Sequence, residues 1–368
     1  MTEDYADQPR PAPLPCGSWP SPITPQSLTE ATVRLTEPGT DGAHVYWIEA
    51  RADAGGRGVL VREGEPDPVR VTPDDVNVRT RVHEYGGGAW AAAEGTVVFS
   101  NFDDNRLYVV APDSDRPQPI TPEGGFRYAD LTLDLARRRI ICVREDHSFA
   151  DAEPVNTLVR LSLDGPNKDG GTILVSGTDF VSSPCLNSTG DRLAWLSWDH
   201  PRMPWDGTDL WTASIDDAGQ LSEVRRVAGG ASESIFQPGW DDAGNLVFVS
   251  DRGGWWNFYR AGHDAEIQAI TRDEVEYGAP QWVFGMSTWA PLADGSIVCA
   301  WTSNGPWSIG RLQTDASAPE AYDLPFSVIS SVRRDPSGRG VVFAAGSPAE
   351  PSRLVHLDAV SGEWRTIA

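Results

Sequence analysis

The chain has 368 residues and a formal net charge of -23, spread along its length. That balance disfavours nucleic acid and anionic membrane as partners, since both attract a basic surface. No apolar run approaches the roughly 18 residues of a membrane span, and the four scattered cysteines (Cys16, Cys142, Cys185, Cys299) form neither a disulfide framework nor a C-x-x-C pair.

The start, Met1 to Asp7, is acidic and polar and lacks the basic and apolar regions of a signal peptide. With the unpaired cysteines, this leads us to expect a cytoplasmic protein. Of the 30 basic residues only Lys168 is lysine, which reads as codon usage of a high-GC genome such as that of an actinobacterium. Residues 1–30, punctuated by Pro11, Pro13, Pro15, Pro20, Pro22 and Pro25, are expected to form an extended arm outside the main fold.

From residue 31 onward one phrase recurs. Its central strand is an apolar, β-branched run that begins at His44, Thr96, Arg139, Arg192, Asn245, Ser296 and Gly340, at spacings of 52, 43, 53, 53, 51 and 44 residues. A turn precedes each run, such as Asp41-Gly42, Glu94-Gly95, Asp294-Gly295 or Ser337-Gly338; only the third copy, with Ala136-Arg137-Arg138, lacks the glycine. Glycine there supplies the positive φ of a tight hairpin. A third strand follows (Gly58, Arg106, Thr157, Asp209, Asn257, Trp307, Ser352), then a fourth (Val69, Pro119, Thr172, Arg226, Gln268, Ala321, Trp364).

Four antiparallel strands repeated seven times predict an all-β fold, a seven-bladed β-propeller over residues 31–368. No sustained i, i+3, i+4, i+7 pattern supports a helical solenoid. Each unit supplies its own strands in order, and Glu363 to Ala368 provide the last one. The ring is therefore expected to be open, with its first and last blades meeting by face packing and no strand exchanged.

Five segments are more specific than the blade phrase: Gly17 to Thr24 (GSWPSPIT), Asn77 to Trp90 (NVRTRVHEYGGGAW), Trp198 to Trp211 (WDHPRMPWDGTDLW), Ser250 to Arg260 (SDRGGWWNFYR) and Pro280 to Trp289 (PQWVFGMSTW). Together they closely resemble the N-terminal propeller of the prolyl oligopeptidase family of serine peptidases, from about Pro15 to Ala368. The nearest branch is the bacterial acylaminoacyl-peptidase and dipeptidyl-aminopeptidase-like one. The resemblance implies a propeller that caps a C-terminal α/β-hydrolase domain, restricts access to its chamber and contacts the peptide substrate. The hydrolase nucleophile sits on a G-x-S-x-G elbow, and no such string occurs here; Gly285-Met-Ser-Thr-Trp289 lacks the second glycine. We therefore expect no catalytic residues on this chain, no cofactor, and an α/β-hydrolase domain or subunit and a peptide as partners. Whether the chain is an excised domain or separately encoded stays open. The rival readings are a stand-alone scaffold for protein binding and a propeller enzyme acting on a small molecule in its channel.

Candidate contacts follow from side-chain chemistry. The segment Arg79 to Gly88 carries Arg81, His83, Glu84 and Tyr85 before three consecutive glycines, which allow close approach of another chain. Glu84 or Tyr85 would face the hydrolase and the substrate; alternatively Glu84 is buried in an ion pair with Arg79 or Arg81. In the Asp251 to Asn257 turn, Trp255 and Trp256 alternate faces, so one fills the core and the other is free to stack on a ligand, with Asn257 beside them. Trp282, Phe284 and Met286 alternate in the same way, and one face is expected to pack against blade five. Asp199, His200 and Asp206 would offer three metal ligands, but His200 precedes Pro201 and has no second histidine near it. No metal is expected.

Overall fold

The computed structural model describes residues 14–27, 33–112, 114, 116–149, 151–262 and 266–368. Within these, the chain forms seven four-stranded antiparallel sheets, each built from four consecutive strands. The blades span residues 33–70, 90–119, 126–175, 180–229, 235–269, 289–321 and 328–366. Met1 to Pro13 and residues 28–30 of the expected arm, with 31–32 at the expected start of the propeller, lie outside the described residues. Between them, 14–27 is exposed and joins no sheet.

The apolar runs read as central strands are the second strands of the blades, and they are apolar throughout because both their faces are covered. In blade one, Val45 and Trp47 pack toward blade seven, against Val342 and Leu354. Tyr46 and Ile48, one residue out of phase, pack toward blade two against Val97 and Phe99. The same two-residue alternation gives a buried cluster at each of the seven blade junctions. Burying one aromatic side chain of about 200 Å² contributes about 5 kcal/mol before entropy is counted, so these junctions dominate stability.

Among the described residues the ring closes without strand exchange. The outer strand of blade seven is Trp364–Thr366 and pairs with Val355 to Leu357 of its own blade. Across the seam, Arg365 reaches Glu63 of blade one at 2.7 Å.

Antiparallel order fixes which loops share a face. Each innermost strand starts where the preceding blade's outer strand ends, so the inter-blade segments and the turns between second and third strands emerge on one side. We call this the loop face. The glycine turns before each second strand lie on the opposite side. The innermost strands also share a bulge that shifts the register in blades one, three, four, five and seven. At these bulges Glu37, Asp130, Ser183, Gln237 and Ser331 take positive φ. Three of them bridge to the next blade: Glu37 accepts the Ala89 N–H at 3.0 Å, Asp130 that of Ser183 at 2.6 Å, and Gln237 that of Thr288 at 2.7 Å.

Candidate binding site on the loop face

Four of the distinctive segments, at 79–88, 198–207, 251–256 and 278–288, are loops of this kind and therefore emerge together on the loop face. Two of them meet directly. Phe284 donates its N–H to the Gly86 carbonyl at 2.9 Å, and Gly87 and Phe284 form a parallel bridge. Gly86, Gly87 and Gly88 all have positive φ, and a Cβ on Gly87 would collide with the Phe284 carbonyl oxygen. The close approach expected of the three glycines is therefore real, and the neighbour is a distant segment of the same chain.

Between these loops lies a cavity of about 150 Å³ with an aromatic lining: His83, Phe180, Trp198, Trp205, Trp282 and Phe284. The His83 ring meets Phe180 edge-on at 5.1 Å and Phe284 at 4.6 Å. Trp282 stands 4.4 Å from Trp205 and 6.1 Å from Tyr85. Burial lowers the His83 pKa to about 4, opposed by the neighbouring Asn156 side chain. The imidazole is therefore neutral at physiological pH, and its buried Nε2 has no hydrogen-bond partner among the described residues. Tyr85 and Trp282 are 66% and 53% exposed, so the cavity opens between two solvent-facing rings. Such a site suits an uncharged, ring-bearing group.

The 81–85 segment is held from below by Glu145, a buried residue at the end of blade three's second strand. One oxygen accepts the His83 backbone N–H at 2.7 Å and the other lies 2.9 Å from His147 Nε2. Arg127 stands 3.8 Å from Glu145 and 2.9 Å from Glu84.

The expected site residues divide. His83, Tyr85, Trp282 and Phe284 converge on the aromatic cavity. Glu84 is neither buried nor paired with Arg79 or Arg81: its side chain is 75% exposed, and its ion partner is Arg127 of blade three. Both arginines instead cover the Phe102 ring, Arg79 at 4.7 Å and Arg81 at 4.3 Å. Trp256 fills the junction between blades five and six, while Trp255 is 39% exposed; both precede the strand, which begins at Asn257, so the turn and not strand alternation divides them. Asn257 is buried in bonds to Thr271 and to the Asp273 backbone. The expected alternation of Trp282, Phe284 and Met286 fails, because this segment is not a strand. Phe284 enters the junction of blades three and four, Met286 that of blades five and six, and Trp282 remains outside. No group of three His, Cys, Asp or Glu side chains that could hold a metal occurs among the described residues. Nor does any helix long and apolar enough to cross a membrane. Sequence reasoning missed Arg127, Glu145 and Phe180, which carry no motif of their own, and did not pick out Trp205 within the distinctive segment Trp198 to Trp211.

No family model and no curated protein matches the chain. Solved structures do. A puromycin-hydrolyzing peptidase of Mycobacterium tuberculosis is 34% identical, with a TM-score of 0.88 over 96% of this chain and 56% of its own. A puromycin hydrolase is 33% identical, with a TM-score of 0.88 over 95% of this chain and 56% of its own. Prolyl oligopeptidase B from Galerina marginata shares the fold at 9% identity, with a TM-score of 0.68 over 91% of this chain and 51% of its own. The chain thus spans little more than half the length of the structures it matches. The match fits the propeller portion of such enzymes, and the chain belongs to the prolyl oligopeptidase family as a propeller domain.

Proposed function

We propose that the chain is the substrate-gating and docking propeller of a prolyl-oligopeptidase-family serine peptidase, with peptide hydrolysis performed by an α/β-hydrolase domain not on this chain. The observation that carries this reading is the exposed apolar surface of the loop face. Tyr85, Met203, Trp255, Trp282 and Val283 are each at least 36% exposed and lie on loops that emerge together. Contiguous apolar surface of this kind marks an interaction site. The four unpaired cysteines suit a reducing, cytoplasmic setting. In the whole enzyme the loop face would meet the hydrolase, and the aromatic cavity would lie beside the substrate's path.

Hydrogen exchange tests the orientation. With a family hydrolase domain added, amides of residues 79–88 and 278–288 should gain protection, while the turns at 41–42 and 294–295 should not. Protection confined to those turns would overturn the docking face.

The rival reading of a small-molecule enzyme has one observation behind it. Glu37, Asp130 and Arg333 line a channel cavity of about 350 Å³. Both carboxylates, however, are fastened to backbone N–H groups across blade junctions, which makes them clamps in the first instance.

A further inference from the structure

A second cavity lies on the other side of Trp205. It measures about 430 Å³, and Trp205, Trp255, Trp256 and Trp307 line it together with Asp251 and Glu276. Its chemistry differs from that of the first cavity, which has no carboxylate in its lining.

The two acids are held in place by the backbone. Asp251 Oδ1 accepts the Ser234 N–H at 2.7 Å, and Glu276 Oε2 accepts the Trp256 N–H at 3.0 Å. Neither forms an ion pair among the described residues. Arg252, next to Asp251 in sequence, is spent on Glu233 at 2.7 Å and on the Tyr259 ring at 5.0 Å. Burial, followed by the charges of Glu233 and Glu276, raises the pKa of Asp251 despite its bond to Ser234. The cavity is thus a negative spot without a counter-charge.

We propose that this cavity binds an organic cation, an ammonium or guanidinium group, held among the indoles that line it and balanced by Asp251 and Glu276. An indole face attracts a cation through its quadrupole, most strongly where water is excluded. A carboxylate adds a charge-assisted hydrogen bond. Indoles offer no lone pair to a metal ion, and two monodentate acids fall short of the six or more oxygens that calcium takes. An anion would meet two carboxylates. A neutral ring would leave both acids unpaired and partly desolvated, which is unfavourable.

The proposal does not rest on the hydrolase reading, because it is tested on this chain alone. Tryptophan fluorescence and calorimetry would follow titration with glycinamide, which carries only an α-ammonium, and with N-acetylarginine amide, which carries only a guanidinium. N-acetylglycinamide and N-acetylcitrulline amide are their uncharged counterparts. At least one cation should bind saturably, about tenfold or more tighter than its counterpart, and the one that binds identifies the source. Glu276→Gln and the surface change Trp255→Ala should each weaken it several-fold while the fold persists. No saturable binding of either cation, equal binding of the uncharged amides, or unchanged affinity in both folded variants would overturn the proposal.

Discussion

Phe284 donates its amide hydrogen to the carbonyl of Gly86 at 2.9 Å, tying the segment before blade two to the segment before blade six. The aromatic cavity exists because these two loops meet. Gly87 is the position where the meeting is tightest, at φ +86 and without room for a Cβ. Gly87→Ala should therefore cost at least about 1–3 kcal/mol from backbone strain alone, with the clash in addition. Denaturant unfolding measures the loss, and the Trp282 environment, read by near-ultraviolet circular dichroism, should change with it. A neutral substitution would mean that the loops part readily.

Glu84 and Glu145 lie on the same small network and should behave oppositely. Glu84 is exposed, and surface ion pairs contribute about 0–1 kcal/mol, so Glu84→Gln should leave the melting temperature nearly unchanged. If Glu84 contacts substrate or hydrolase, the same change should weaken peptide turnover in the two-domain enzyme. Glu145→Ala strands the His83 N–H and leaves Arg127 without its buried partner, and should cost about 2–4 kcal/mol. A large melting shift in Glu84→Gln, or none in Glu145→Ala, would reverse these assignments.

Much of this was legible in the sequence. Seven apolar runs, each introduced by a turn, revealed the blades, because a strand buried on both faces has to be apolar throughout and a hairpin has to turn. The closure was legible from strand order. What the sequence hid is what the ring brings together. His83 lies between blades one and two, whereas Phe180 opens the innermost strand of blade four and Trp205 sits in that blade's turn between second and third strands, and nothing local says that they share a wall. Glu145 reads as an ordinary charged residue at a strand end, and only the position of the His83 amide gives it a role. The segment around Trp282 misled because alternating aromatics imitate a strand where the backbone forms an irregular loop.

Glu37 gives the account a pH signature. Burial raises its carboxyl from the ordinary 4.5 to about 7, opposed by the Ala89 N–H and by Arg333. A folded-state pKa above the unfolded one means that the folded protein holds the proton longer. This contribution to stability is present below pH 4.5 and is lost as the pH rises through about 7. Glu37→Gln keeps an oxygen for the Ala89 N–H and removes the titration. Relative to the parent, its stability in urea should improve between pH 5 and pH 8. A constant difference, or one that moves the other way, would contradict the assignment. His83, held at about 4, acts in the opposite sense and costs stability as the pH falls from about 6.5 to 4.

The seam between blades seven and one carries ring closure by packing. Leu354 is fully buried there against Val45 and Trp47. Leu354→Ala should cost about 2–5 kcal/mol, read by thermal unfolding. A loss below about 1 kcal/mol would show that the seam is a minor contact and that the ring is held elsewhere.

The proposed gating and docking of a peptidase domain by this propeller is tested most directly by peptide hydrolysis with the reconstituted enzyme. The purified chain alone, the hydrolase domain alone and the two combined would be assayed on an aminoacyl anilide and on peptides of increasing length. The chain alone should show no turnover sensitive to a serine-directed phosphonate. The combination should cleave short substrates and discriminate against long ones more sharply than the hydrolase alone, and Trp282→Ala together with Tyr85→Ala should relax that discrimination. Phosphonate-sensitive turnover by the chain alone, or a length profile that the propeller leaves unchanged, would contradict the claim.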